Sequence, residues 1–262
     1  MQVWDGVTGA RISFDWTPTT SAAFQPVKST TIATMAENTN LISALLARLT
    51  ALGGVDIFSP TKVQSIELGT VSPHLDLSSW PILTLSDGQT LAARLLVGAD
   101  GANSPVRRFA GIQSRGFDYG RQGVVATLQL SGAGWGGLEH KTAYQRFLPT
   151  GPIAMLPLPG KMATLVWSTT PDRAAKLKAM SPTNFIAMVN AGFRLSPVDL
   201  QYLHDLDSGH AEEVAWRQKH TPTNARELPV DVVQVQDKSA ASFPLRMQHA
   251  DTYTGERVAL VG

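Results

Sequence analysis

The stretch Arg94–Ile112, RLLVGADGANSPVRRFAGI, reads as a strand that stops in a polar turn and restarts as a short helix. Leu95, Leu96 and Val97 form an apolar run of the kind buried on both faces of a sheet. Gly98, Asp100 and Gly101 then supply turn chemistry, so the strand ends at Asp100. Ser104 followed by Pro105 fits an N-cap and a first helical position, and Gly111 fits the residue just past the helix end. On this reading, free backbone N–H groups and the positive end of the helix dipole converge on Asp100, Gly101 and Ser104, with Arg107 one turn in. Such a place suits a phosphate or pyrophosphate. A second Asp-Gly pair, Asp87-Gly88, lies between the strand-like runs Ile82–Leu85 and Thr90–Val97 and reads as an ordinary hairpin turn. The first pair differs because a capped helix, not a second strand, follows it.

Working outward, 262 residues suffice for one large domain or two interleaved ones, with a sizeable core. A hydrophobic content of 43% and a net charge of +1 place the chain among soluble globular proteins, without a field that would recruit nucleic acid. The absence of Cys excludes disulfides, thiolate metal sites and a cysteine nucleophile. His74, His140, His204, His210, His220 and His249 form no i, i+4 pair, so no metal site is expected. No apolar run approaches the roughly 18 residues that span a bilayer, and Met1–Asp5 starts directly on folded-looking sequence without a targeting signature.

Upstream, Gln2–Phe14 reads as a strand pair around Gly6–Gly9, and Thr17–Thr31 as a polar, Pro-containing connection. Leu41, Ile42, Leu45, Leu46, Leu49 and Leu52 repeat at helical spacing; Asn38 or Asn40 can cap that helix and Gly53-Gly54 ends it. Val55–Phe58 and Lys62–Leu68 read as short strands.

Downstream, Gly123–Leu130, Tyr144–Leu148, Pro152–Leu158 and Ala163–Thr169 predict an antiparallel sheet. Two helices follow, entered through Thr170-Pro171 and Ser181-Pro182, and cover one face of it with Phe185, Met188 and Val189. Val232–Val235 and Ser242–Leu245 return as strands. Arg257–Val261 is a last apolar run, and its stop at Gly262 looks like a cut. Gly132–Gly137 spells G-x-G-x-x-G, but no apolar helix or acidic strand end follows and Trp135 would obstruct a pyrophosphate, so it reads as an inter-strand loop.

Leu95–Arg107, LLVGADGANSPVR, resembles the Asp-Gly motif of the class A flavoprotein aromatic hydroxylases, whose fold is that of p-hydroxybenzoate hydroxylase. Tyr144–Leu158, YQRFLPTGPIAMLPL, and Leu165–Thr169, LVWST, resemble the ubiquinone-biosynthesis branch, closest to its eukaryotic mitochondrial members. Phe243-Pro244-Leu245, His249-Ala250 and Arg257–Gly262, RVALVG, resemble the same branch near its second flavin motif, and Glu37-Asn38 with Leu41, Ala44 and Leu45 agrees with the family's helix. The likeness covers nearly the whole chain. It implies an α/β (α+β) fold in which an incomplete Rossmann-type FAD domain is interleaved with an antiparallel-sheet substrate domain. The expected segments are 1–30 (substrate-domain strands), 31–116 (partial FAD domain), 117–250 (substrate domain) and 251–262 (a return strand). Two departures stand out: the family's opening G-x-G-x-x-G unit and its Asp-Ala-Ala-His continuation are both missing.

The resemblance places Asp100, Gly101, Ser104 and Arg107 near the pyrophosphate of FAD, and Gly262 at the first residue of the second flavin motif. It further implies that reduced FAD reacts with O2 to a C4a-hydroperoxide that hydroxylates a polyprenylated hydroxybenzoate-type ring. The resemblance also implies electrons from NAD(P)H or a ferredoxin, a place at the matrix side of the mitochondrial inner membrane with peripheral membrane association, and docking in a coenzyme Q biosynthetic complex. No paired carboxylates and no Ser/His/Asp arrangement appear, which agrees with chemistry carried by the flavin and no catalytic side chain in this chain. Gln145, Arg146 and Trp167 are candidate substrate residues beside the Pro149–Pro152 turn and the apolar Met155, Leu156 and Leu158; core or cross-strand packing is the competing reading of all three. A function of another class is a truncated, non-catalytic product or scaffold subunit. A fragment without the family's first unit is expected to hold FAD weakly and, through unpaired strand edges, to aggregate.

Overall fold

A computed structural model describes residues 1–14, 32–134, 141–221 and 228–262. In chain order the elements are β1 (Gln2–Asp5), β2 (Arg11–Ser13), α1 (Asn38–Leu52), β3 (Val63–Leu68), β4 (Pro81–Leu85), β5 (Thr90–Ala92), β6 (Leu96–Gly98) and α2 (Pro105–Phe109). They continue with β7 (Ser114–Leu130), β8 (Tyr144–Leu148), β9 (Gly151–Pro157), β10 (Met162–Thr169), α3 (Pro171–Ala179), α4 (Pro182–Arg194), α5 (Pro197–Asp205) and α6 (His210–His220). The last are β11 (Val232–Val235), β12 (Ala241–Ala250), β13 (Thr254–Gly255) and β14 (Val258–Leu260). The chain divides into two compact units, Met1–Leu46 with Gly120–Leu245, and Ala47–Tyr119 with Arg246–Gly262.

The first unit is built on an eight-stranded sheet in the order β11-β7-β10-β9-β8-β1-β2, with β12 also paired to β7. The β11-β7, β7-β10, β10-β9, β9-β8 and β1-β2 pairings are antiparallel, and β1 runs parallel to β8. Strand residues alternate between two faces, and here the alternation is strict. Val124, Ala126 and Leu128 on β7, Ile153 and Met155 on β9, and Ala163, Leu165 and Trp167 on β10 are buried in one cluster with residues from α3 to α6. Trp167, Ile153, Leu165 and Leu128 are fully inside it, as are Met188, Phe193 and Leu203 from the helices. The intervening residues, among them Val125, Thr127, Ala154 and Val166, are only half-buried and point to the other face.

The helical layer contains more than the spacing of its apolar residues predicts. Thr170-Pro171 and Ser181-Pro182 open α3 and α4 as expected, the Ser181 hydroxyl accepting from the Asn184 amide. Two further helices follow. Ser196-Pro197 opens α5 with a reciprocal capping box, Asp199 reaching back to the Ser196 amide. Gly209, at φ +77°, turns the chain into α6. The Ser-Pro-x-Asp spelling was the available signal for α5.

The second unit holds the meander β3-β4-β5 and a separate small sheet, β13-β14-β6, in which β14 runs parallel to β6. Asp87-Gly88 is the hairpin turn between β4 and β5, with Gly88 at φ +83° and the Gln89 amide bonded to the Asp87 carboxylate. The core is slight: among the described residues Leu83, Leu85, Leu96, Val106 and Val258 make the buried cluster, against 24 in that of the first unit. At about 1.5–3 kcal/mol per large apolar side chain fully buried, most of the burial energy resides in the first unit.

Three expectations are corrected here. The Leu95–Val97 run is not buried on both faces: Leu96 is buried, but Leu95 and Val97 are 58% and 51% exposed, because among the described residues β6 belongs to a sheet of three short strands that packs α2 on one face. Val55–Phe58 forms no strand, having no ladder partner among the described residues. Helix α1 runs where its periodicity puts it, yet no residue of it is buried, and its leucines and isoleucine are 38–63% exposed. Its first amide bond, from Leu41, goes to the Glu37 carbonyl, and Asn40 donates to the Glu37 carboxylate, so Glu37 rather than an asparagine marks the start. Residues 15–31 and Trp135–His140 lie outside the described residues, and with them the polar connection and most of the G-x-G-x-x-G spelling.

Candidate functional site

Strand β6 leads into the turn and the turn into α2, so the motif is a strand-turn-helix and not a two-strand reversal. Gly98 ends the strand at close quarters: a Cβ there would lie 2.8 Å from Val106 Cβ and 3.0 Å from Leu260 Cδ2. Gly101 adopts φ +82° with open space where a Cβ would stand, a conformation that favours glycine. The Ser104 amide bonds the Gly101 carbonyl at 3.1 Å and closes the turn.

Asp100 and Ser104 cap the helix together. Asp100 Oδ2 accepts from the Val106 amide at 3.2 Å, and Ser104 Oγ accepts from the Arg107 amide at 2.9 Å. Arg107 Nη1 donates to the Ala102 carbonyl at 2.9 Å, and Gly111 at φ +66° ends the helix. Partial burial works to raise the Asp100 pKa, but hydrogen bonds from the Ser104 hydroxyl and the Val106 amide, with the charge of Arg107, outweigh it and hold the carboxyl below its ordinary value.

This geometry corrects the expectation of free helix amides. The N–H groups of Val106 and Arg107 are spent on the chain's own oxygens, and α2 is a single short turn of helix. What the motif offers instead is an open glycine turn with an ionised carboxylate at its base. A carboxylate accepts from hydroxyl groups and repels phosphate, so Asp100 suits a polyhydroxylated chain, and Gly101 leaves room for close backbone approach. FAD carries both kinds of group, and this acceptor fits its sugar-like portion. Ser104→Ala is expected to destabilise the second unit by about 1 kcal/mol through loss of the cap, read as a lower urea midpoint; an unchanged midpoint would remove Ser104 from this role.

The three substrate candidates separate by strand parity. Arg146 is 5% exposed and lies on the helical side, where Nη1 donates to the Gly192 carbonyl at 2.9 Å and Nη2 to that of Gly6 at 3.2 Å. Burial, with the charge of Arg11, lowers its pKa to about 10 against the opposing pull of Asp5, so it stays cationic at neutral pH. Trp167 is wholly buried on that same side. Gln145 alone faces away from the helices, opposite Val3 and Ala154. Ala154 in turn faces Val166, and Val166 faces Val125, which makes one row; Leu156, Thr164 and Thr127 make the next. Counting parity from Gln145 would have found these residues in the sequence. Gly262 follows β14 at φ +123° with open space beside it.

Comparison with known proteins bears on family and fold. A family model described as an FAD binding domain matches residues 16–204. The chain is 38% identical over its whole length to the mitochondrial ubiquinone biosynthesis monooxygenase COQ6 of Rattus norvegicus, covering 52% of that protein. It is 40% identical over 79% of its length to the protein of the same name from Saccharomyces cerevisiae, covering 45% of it. The chain thus spans about half the length of these curated relatives. Among solved structures, PqsL, a probable FAD-dependent monooxygenase from Pseudomonas aeruginosa, shares the fold with a TM-score of 0.60 at 18% identity, over 100% of this chain and 59% of that one. The chain belongs to the FAD binding domain family, whose cofactor is FAD, has the p-hydroxybenzoate hydroxylase fold, and is similar to the COQ6 proteins over about half of their length.

Proposed function

We propose that this chain serves the ring hydroxylation of a polyprenylated phenolic precursor in ubiquinone synthesis, with O2 and either NAD(P)H or a ferredoxin as co-reactants, in mitochondria. The names of the relatives support the pathway and the compartment. Among the described residues no helix is long and apolar enough to cross a membrane. The observation that carries the substrate class is the sheet face turned away from α3 to α6. Val125, Ala154, Leu156 and Val166 make it apolar, with Gln145, Thr127 and Thr164 as sparse hydrogen-bonding groups. An apolar wall with few polar groups orients an aromatic ring through its substituents and excludes water.

When bound, FAD supplies the activation of oxygen. The chain's own part is to hold and to orient. Asp100, kept ionised by Ser104, Val106 and Arg107, accepts from cofactor hydroxyls, and Gly101 admits the close approach. Gln145 fixes the phenolic ring by its amide.

The test uses the full-length protein. Asp100→Ala is expected to weaken flavin retention roughly tenfold to a hundredfold, the loss of a charged acceptor, with the β4-β5 hairpin and the circular dichroism unchanged. Gln145→Leu is expected to keep flavin and raise KM for the phenolic substrate. Normal flavin affinity and turnover in Asp100→Ala would overturn the assignment of the turn; an unchanged KM in Gln145→Leu would overturn that of the sheet face.

A further inference from the structure

The face that carries Gln145 continues one row further, toward the β8-β9 turn. Two residues on from Gln145, Phe147 faces Pro152, and two on from Val166, Ser168 faces Gly123. Strand parity keeps all four on the side turned away from α3 to α6. The turn is held tight at Gly151, φ +137°, where a Cβ would collide with the Ser168 carbonyl.

Gly123 lies beneath a second aromatic ring. A Cβ there would stand 3.1 Å from Phe243 Cε2 and 3.3 Å from Leu245 Cδ2, so a glycine at this position is what lets β12 lay Phe243 against the sheet. Phe147 and Phe243 therefore bound the row, with Pro152, Ser168 and Gly123 as the floor between them. Each ring is 46% exposed, an arrangement that leaves large apolar area for a ligand to cover. Of the floor residues Ser168 alone is polar.

On the other side of the Gln145 row the character reverses, for Thr164 and Thr127 lie beside Leu156. The face is thus graded along its strands, hydrogen-bonding at Gln145 and the threonines and aromatic toward Phe147 and Phe243. Rows two residues apart are separated by about 7 Å, and four adjacent strands span about 14 Å across. Such a trough suits a molecule with a polar ring at one end and an apolar chain at the other, the chain lying across the row.

We propose that Phe147, Pro152 and Phe243 form the subsite for the apolar chain of the phenolic substrate, and so set its preference for chain length. The proposal rests on the reading of the Gln145 face as the wall for the ring and adds the direction in which the chain leaves it.

Titration of the full-length protein with 4-methylphenol and 4-octylphenol tests this. The octyl compound is expected to bind saturably and at least about a hundredfold more tightly, since its additional methylenes leave water. Phe147→Ser and Phe243→Ser, both at half-exposed positions, are each expected to lower that ratio about tenfold while the affinity for 4-methylphenol is unchanged. Gln145→Leu is expected to weaken both phenols alike and to keep the ratio. A ratio intact in either phenylalanine variant, or both phenols weakened equally as a structural role would do, overturns the chain subsite and leaves the Gln145 reading standing. Absence of saturable binding of either phenol overturns that reading and the subsite with it.

Discussion

Trp167→Ala is expected to destabilise the protein by about 3–5 kcal/mol, the range for removing a large aromatic side chain from a core that cannot collapse around the void. Trp167 is 0% exposed. Its strand neighbours are Val124 and Ile153, and it packs so closely on α4 that a Cβ at Gly192 would stand 3.3 Å from its ring. The surrounding strands and helices are tied by ladders and caps, so they cannot close the gap. The measurement is the urea midpoint, with Trp167→Phe as a milder comparison that keeps part of the ring. A Trp167→Ala variant within 1 kcal/mol of the wild type would show that the cluster is not the close-packed core described above. A ligand-contact role would give a different pattern, a shift in KM with stability retained.

Acid is expected to weaken the protein through His204. Burial lowers its pKa to about 4, and the positive charges of Arg173 and Lys176 reinforce burial against Asp205. The folded state therefore keeps the imidazole neutral, while the unfolded chain takes up a proton near pH 6.5. Stability is fully present above about pH 6.5, falls as the pH drops, and stops falling near pH 4 where the folded state also protonates. The difference between the two values corresponds to about 3 kcal/mol in total and about 2 kcal/mol by pH 5. The carboxylates held low, Asp100 and Asp199 among them, have an ordinary value of 3.8 and contribute their losses chiefly below this window. Denaturation midpoints at pH 7 and pH 5, in the wild type and in His204→Leu, separate the two effects. The variant should lose most of the slope; an identical slope in both would assign the pH dependence to other groups.

Much of the architecture was legible because its signals are local. Alternation marked β8, β9 and β10, helical spacing marked α1 and α4, and Thr-Pro and Ser-Pro pairs marked the starts of α3 and α4. The helix α5 is equally local in its Ser-Pro-x-Asp box. Val55–Phe58 is apolar and β-branched in part, but a strand exists only with a ladder partner, which no local pattern provides. At the Asp100–Arg107 turn the strand-turn-helix was legible, but the expectation of free helix amides was not met. That Asp100 and Ser104 consume the first helix amides depends on where the turn folds their side chains.

The residues by themselves determined that Gly98, Asp100, Gly101 and Ser104-Pro105 form a strand-turn-helix, since each is chosen for a backbone angle, a cap or a close approach within a few positions. They also determined the family, through long contiguous blocks. Only the tertiary structure decided which face of the sheet the helices cover. That choice sends Arg146 and Trp167 into the core and leaves Gln145 on the other side, because side chains one residue apart on a strand point in opposite directions and the sheet has two faces to fill.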